Sequence, residues 1–357
     1  MKNPNMRLAL RRAKLIRTMQ LLQQAHKTGR MSAGRHDRLQ RKYTAKLQKL
    51  EERCGEGQDV EYGMVYSHLD LPEKFEAKKP AEAPGRAAGE GKPYEIFGGI
   101  FIKIAIAVLV FFLLGYFIRF AQVQPLFCVV LAVACPLLYL FIAYLFDRRE
   151  PEPKLFVLGA FIWGMLAAVL ALWLNSSLLG LFSLVVLGCL AGVTEELTKG
   201  IGLFRLSRHP EYNDPVDGIL YGAAVGLGFA AFENLVYFAH FSNMLQIEMF
   251  SEMQFNSSLI LRSTMSALGH ACFTGVLSLM LARAKLRHGL PSVFDFIVAY
   301  LVAALLHGIF NGVIHFAAQL APAVIGFLIL GCLIYFWFTV KNAWKTQRGW
   351  QHCALKA

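Results

Sequence analysis

The stretch D-G-I-L-Y-G-A-A-V-G-L-G-F-A-A-F-E-N, residues 217–234, decides the fold. It is apolar over several turns, repeats Gly218, Gly222 and Gly226 at every fourth position, and ends on Glu233 and Asn234. An apolar run of about 20 residues is what a helix needs to cross a bilayer. A row of small residues along one face lets a second helix approach with no lipid between them. Ala230 and Asn234 continue that row, so the polar end of the segment is expected to face protein rather than lipid. Packing alone explains the glycines, but it does not explain a carboxylate.

The rest of the chain agrees with this reading. Of 357 residues, 56% are hydrophobic and only 17% charged, with a mean hydropathy of +0.45. That composition excludes an ordinary soluble domain, a disordered chain and a coiled coil. Eight apolar stretches reach spanning length, at 96–118, 124–146, 155–174, 179–204, 216–240, 258–282, 293–317 and 322–340. The expected fold is an all-α polytopic membrane protein, a bundle of about eight transmembrane helices with an N-terminal cytoplasmic helical hairpin.

Lysine and arginine placement orients the bundle. Arg148, Arg149 and Lys154, then Arg205 and Arg208, then Arg283, Lys285 and Arg287 lie on one side, together with Lys341, Lys345 and Arg348 of the tail. The loops 175–178, 241–257 and 318–321 carry no Lys or Arg, and 119–123 carries only Arg119. Eight spans with both termini cytoplasmic satisfy this alternation. No cleavable signal peptide is expected, because the first long apolar run begins near Ile96. Cys54, Cys128, Cys135, Cys189, Cys272, Cys332 and Cys353 are scattered without a CxxC pair, so neither a disulfide framework nor a cysteine metal site is expected.

The chain divides into a basic cytoplasmic helical region at 1–71, a linker at 72–95, the transmembrane domain at 96–340 and a cytoplasmic tail at 341–357. Between Lys2 and Arg53 there are 15 Lys and Arg against Asp37, Glu51 and Glu52, an excess equal to the whole formal net charge of +12. Apolar residues at helical spacing, Leu8, Leu15, Met19 and Leu22, then Leu39, Tyr43, Leu47 and Leu50, predict a hairpin over about 6–27 and 32–53. Its basic faces suit anionic lipid headgroups, or simply solvent. No aromatic pattern for stacking bases accompanies the charge, so nucleic acid is not an expected partner.

Ionisable residues within spans cost about 2.5–3.5 kcal/mol each on insertion scales. Here they concentrate in four consecutive spans: Glu195, Glu196 and Lys199; Glu233; His270; and His307 with Asn311 and His315. Glu195 and Lys199 are four residues apart and Glu196 and Lys199 three, so all share a face. Two adjacent carboxylates in low dielectric do not both ionise cheaply; Lys199 can neutralise one and leave the other to activate water. His307 and Asn311 also share a face and suit an oxyanion site. Glu233 suits water positioning or metal binding, and Phe229 suits the wall of such a site. Taken singly, each has a plain structural reading: a buried ion pair for the Glu–Lys set, interhelical hydrogen bonds for His240 and His315, a helix cap for Asp217. Together they exceed what a structural network needs.

The ordered motifs E-E-L-T-K (195–199), F-A-A-F-E-N (229–234), H-A-C-F (270–273) and H-G-I-F-N (307–311) resemble the PrsW family of bacterial intramembrane proteases. D-R-R-E-P-E-P (147–153) also looks like that family, so the resemblance runs over about 140–315. It is similar in turn to the CAAX-protease and bacteriocin-processing group, with motifs EExxxR, FxxxH and HxxxN/D. This chain departs from that group at Lys199, one residue early, and at Glu233, where the group has His.

The resemblance implies an intramembrane endopeptidase of the bacterial inner membrane. Its implied substrate is a single-pass membrane protein, an anti-sigma factor cut to start a stress response. The implied catalytic set is Glu195, Glu196, Lys199, Glu233, His270, His307 and Asn311, with Phe229 and Asn234 against the substrate. Two chemistries stay open. One uses a divalent metal, zinc, held among Glu195, Glu196, Glu233, His270 and His307. The other is a metal-free, glutamate-activated water. An ion-coupled transporter and an inactive protease-like scaffold are the competing readings, since buried Glu and His also build proton relays. Against the transporter, no repeated half is visible.

Overall fold

In a computed structural model of the chain, residues 4–52, 124–147, 152–178, 184–316 and 319–356 are described. They are helical, with no strand among the described residues. The helices are α1 (Pro4–Lys27), α2 (Ala33–Glu52), α3 (Gln124–Phe146), α4 (Lys154–Leu178), α5 (Leu184–Ser207), α6 (Pro215–Gln246), α7 (Glu252–Leu261), α8 (Ala267–His288), α9 (Val293–Phe316) and α10 (Ala321–Lys356). One π turn, Arg262–Ser266, joins α7 to α8.

Six of these helical segments are long and apolar enough to cross a membrane, with α7, the π turn and α8 counted as one continuous rod. The expected count of eight is therefore not what the described residues display, for two reasons. The stretch 96–118 lies outside them. Helix α5 is helical over most of its expected span, but Glu195, Glu196, Lys199 and Arg205 keep it out of the apolar set. Helix α5 instead packs between α4, α8 and α9, and Val193 and Ile201 are turned outward.

Helix α6 is the axis of the bundle, and its start is written in the sequence. Asp214 is the N-cap and Pro215 follows it; Asp214 accepts from the Val216 and Asp217 amides, while Asp217 accepts from Asp214 N and Asn213 N. At 32 residues, and 1.5 Å rise each, α6 is about 48 Å long, more than the hydrocarbon layer requires. Its glycine row packs on α8. A Cβ at Gly222 would collide with Gly275 and Ser278, and one at Gly226 with the His270 carbonyl. The close approach that the small-residue repeat predicts is what places His270 beside Glu233. Gly228 meets the backbone of Phe161 in the same way, drawing in α4.

Helices α1 and α2 pack together through Met19, Leu22, Tyr43 and Leu47. They do not stand clear of the bundle. Lys14 reaches Glu152 at 2.5 Å, and Arg30 reaches Asp295 at 3.0 Å. Gln24 Nε2 donates to the Arg287 carbonyl and Thr28 Oγ1 to that of His288. Helix α8 ends at Gly289, whose φ of +80° favours glycine and whose missing side chain admits the α1 backbone at Ala25. The basic segment is thus seated on the turn between α8 and α9. Residues 72–95, expected as a linker, lie outside the described residues.

Candidate active site

Six side chains from four helices meet in the middle of the bundle. Lys199 on α5 is fully buried, and its Nζ donates to Glu196 Oε1 at 2.7 Å. It also lies 2.9 Å from His270 Nδ1 and 3.6 Å from Glu195 Oε2. His307 on α9 is 3.0 Å through Nδ1 from Glu196 Oε1, and 3.7 Å through Nε2 from Glu195 Oε2. His270 on α8 is 2.8 Å through Nε2 from Glu233 Oε2 on α6. The helical spacing read from the sequence is realised: both Glu–Lys pairs close across one turn of α5.

Hydrogen-bond pairing assigns the tautomers. An ammonium has protons to give and no lone pair, so Lys199 donates to His270 Nδ1 and the proton of that ring sits on Nε2, facing Glu233. Glu196 is ionised against Lys199, so His307 carries its proton on Nδ1. Each imidazole is then oriented by a carboxylate; the His270 Nδ1 lone pair accepts from Lys199, and the His307 Nε2 lone pair faces Glu195 Oε2. That oxygen is buried and has no hydrogen-bond partner among the described residues, with His270 Nδ1 4.0 Å away.

The donor set fits a metal. Glu195, His270 and His307 each offer one ligand atom, mutually within 4.8 Å. Two His and one carboxylate make the three-ligand set of catalytic zinc sites that keep a fourth position open, and a carboxylate behind each ligating His is the usual second layer. The Lys199 ammonium is the competing cation, because it already occupies His270 Nδ1. Binding an ion at all three ligands requires that contact to open.

The two carboxylates expected to act together are not equivalent. Glu196 is enclosed: Lys199 and His307 lie on Oε1, and Thr274 Oγ1 donates to Oε2 at 3.0 Å. Glu195 retains the open oxygen. Phe229 is buried, with the Lys199 ammonium 3.8 Å above its ring and the His270 ring 5.2 Å away. It therefore walls the cluster from the α6 side. Asn311 stands one turn beyond His307 and is partly buried. Asn234 is fully buried, and neither amide atom has a hydrogen-bond partner among the described residues. As the residue after Glu233, it projects about 100° further around α6.

Sequence reasoning missed Arg262. Its Nη2 lies 2.7 Å from Glu233 Oε2, and its guanidinium stacks 3.5 Å over Tyr237. The signal was present, an arginine inside an otherwise apolar span, but it did not fall in a motif. The π turn that begins at Arg262 is the local device that aims it. Thr274 was missed because a lone threonine one turn after a histidine has no signature of its own. Gly192 lies in the small-residue row that leads to Glu196, and a side chain there would press on the His307 ring.

A buried Glu–His–His cluster set in a bundle of apolar helices suits a membrane-embedded hydrolase. The sequence comparisons agree. The signature of the PrsW family intramembrane metalloproteases matches residues 152–340. The chain belongs to that family and is a PrsW-type peptidase. It is 25% identical over 212 residues to Protease PrsW of Geobacillus kaustophilus, covering 58% of this chain and 86% of that protein. Protease PrsW of Bacillus subtilis is 25% identical over 209 residues, 57% of this chain and 88% of its own length. That of Clostridioides difficile is 26% identical over 174 residues, 46% and 69% respectively. No solved structure matches the chain.

Proposed function

We propose that the chain cuts single-pass membrane proteins within the bilayer, using a water activated by Glu195. The observation that carries this reading is the buried Glu195 Oε2 without a hydrogen-bond partner among the described residues, with Lys199 Nζ at 3.6 Å, His307 Nε2 at 3.7 Å and His270 Nδ1 at 4.0 Å around it. An anti-sigma factor is the substrate class that fits the family resemblance. The basic end of the bundle faces the cytoplasm of a bacterial inner membrane, with both termini on that side. There the amino-terminal region meets anionic headgroups.

In this mechanism Glu195 takes the proton of the attacking water as general base. Glu196 is a positioning residue that holds His307 and Lys199. Glu233, fixed by Arg262, does the same for His270. Lys199 supplies positive charge next to the developing tetrahedral intermediate, and Asn311 donates to its oxyanion. His307 is better suited to offering a lone pair than to donating, because its proton faces Glu196. A divalent metal bound by Glu195, His270 and His307 would polarise the water and the scissile carbonyl.

The test is cleavage of a tagged single-pass substrate by detergent-purified protein, with bound metal measured on the same sample. We expect Asn311→Ala to lower turnover about 10²–10³-fold with substrate binding retained. Proton-coupled uptake without cleavage would support a carrier instead. Loss of activity only in proportion to loss of folded protein would support a scaffold.

A further inference from the structure

We propose that a single anionic phospholipid binds in the cleft between α2 and the basic ends of α4 and α5, with its phosphate among the arginines and an acyl chain along the helices. The cleft has a volume of about 1090 Å³. Its rim carries Arg35, Arg38 and Lys42 from α2 and Arg205 and Arg208 from the end of α5. No acidic side chain lines it among the described residues. None of these five cations has an ion-pair partner among the described residues, although Arg208 rests on the Phe204 ring at 5.4 Å.

Below the rim the lining changes character. Phe156, Trp163, Ile201 and Phe204 form an apolar floor that reaches Val225 of α6. From Leu155 at the mouth to Trp163 is eight residues of helix, about 12 Å at 1.5 Å per residue. That depth is a fraction of the half-bilayer, enough for a glycerol backbone and the upper part of one chain. Cations at the mouth and hydrocarbon beneath them are the two halves of a phospholipid's chemistry. A free phosphate has no use for the floor, and an apolar helix has no use for the rim.

The local field points the same way. His209 lies in the loop after α5 and lines the same cleft. Burial holds its imidazole below the usual histidine range, and Lys285, Lys42 and Lys46 push it further down against the pull of Glu211. Three lysines thus act on this imidazole, and an anion seated in the cleft would offset their charge. The floor also touches the active-site helix. Trp163 Nε1 donates to the Lys199 carbonyl at 3.3 Å, in a space that Gly202 leaves free. A lipid seated there would brace both α2 and the turn of α5 that carries Lys199.

The inference rests on the proposal that this end of the molecule meets anionic headgroups, and the experiment separates the two. The full chain, delipidated in detergent, is titrated with dioleoylphosphatidylglycerol or dioleoylphosphatidylcholine and read by native mass spectrometry. One tightly retained phosphatidylglycerol is expected, with phosphatidylcholine at least about tenfold weaker. Arg205→Gln with Arg208→Gln should weaken phosphatidylglycerol about tenfold or more, and the lysine pair at both positions should restore it. Arg41→Gln with Lys49→Gln, on exposed parts of α2 outside the cleft, should leave retention unchanged. Equal loss in that outer pair would overturn the cleft while keeping diffuse headgroup contact. Equal retention of the two lipids would overturn both. Competition by glycerol 3-phosphate at the same concentration as the lipid would replace the phospholipid with a soluble phosphate.

Discussion

The molecule buries two polar clusters, and they are built on different rules. At the basic end, Glu152 is enclosed: Lys14 Nζ lies 2.5 Å from one oxygen, and the Tyr221 hydroxyl donates to the other. Its amide donates to Asp147, Tyr212 donates to Ser278, and Lys285 caps the His209 carbonyl. In mid-bundle, Glu196 and Glu233 are equally well held, but they hold others in turn, and the chain of contacts ends on an oxygen of Glu195 with no hydrogen-bond partner. An unsatisfied buried acceptor costs stability, about 1–3 kcal/mol or more for a charged group. The basic end also leaves such an atom, the neutral amide oxygen Asn213 Oδ1, but in mid-bundle the oxygen is a carboxylate's, with Lys199 Nζ at 3.6 Å and His307 Nε2 at 3.7 Å around it. The contrast separates polar groups that fasten helices from polar groups arranged for a reactant.

Glu195→Gln should break the comparison most visibly. The amide keeps the shape and most of the hydrogen bonding but cannot accept the proton of water. We expect turnover to fall about 10²–10⁴-fold, with the melting temperature unchanged or raised, because a buried charge has been removed. A folded Glu195→Gln protein that cleaves at the wild-type rate would reduce this cluster to the same fastening role as the other.

Lys14→Met tests the opposite expectation at the basic end, a stability effect that depends on pH. Burial raises the Glu152 carboxyl above its ordinary range, while the Lys14 ammonium and the Tyr221 hydroxyl hold the rise back. Burial also raises Asp147, helped by the charges of Asp214 and Glu152. A carboxyl with a raised folded pKa binds more protons when folded than when unfolded. Stability therefore falls as pH rises from the ordinary carboxyl range through the raised value, and is flat above it. Without Lys14 the Glu152 pKa rises further, so the fall extends to higher pH. Melting curves should show Lys14→Met close to wild type near pH 5 and about 3 kcal/mol less stable at pH 8. A deficit of equal size at both pH values would mean that Lys14 acts by packing alone.

Much of this architecture was legible because membrane helices write their own length and their close contacts in residue type. Gly218, Gly222 and Gly226 announced a neighbour at short range, and α8 is that neighbour. Glu195, Glu196 and Lys199 announced a shared face by their spacing, and the distances close as expected. What the sequence does not encode locally was lost. Which helix lies against which is decided by contacts between residues far apart in the chain, so the Arg262–Glu233 pair and the Thr274–Glu196 bond had no periodic trace. The docking of α1 was hidden for the same reason. Fifteen like charges before residue 54 read as a solvated or lipid-facing surface, and nothing in that stretch reveals that Lys14 has a buried partner at Glu152. Helix α5 shows the converse. Its charges made it the most informative segment for chemistry and the least typical as a span.

The smallest expected effect concerns Phe229, where the two clusters use the same interaction to different ends. Its ring lies 3.8 Å beneath the Lys199 ammonium; at the basic end Lys285 stands 5.8 Å from the Tyr212 ring. A desolvated cation over an aromatic face contributes about 2 kcal/mol, and a looser one less. If Phe229 contacts the substrate, as its motif position suggested, Phe229→Leu should raise KM and leave kcat near wild type. The geometry favours the other outcome. The ring is buried and supports the cation that Glu196 and His270 share, so its loss should let Lys199 shift within the cluster. We expect kcat to fall about tenfold with KM little changed, and the melting temperature to drop modestly from the cavity left behind. The split between kcat and KM decides whether Phe229 belongs to the wall that the substrate touches or to the support behind the reacting groups.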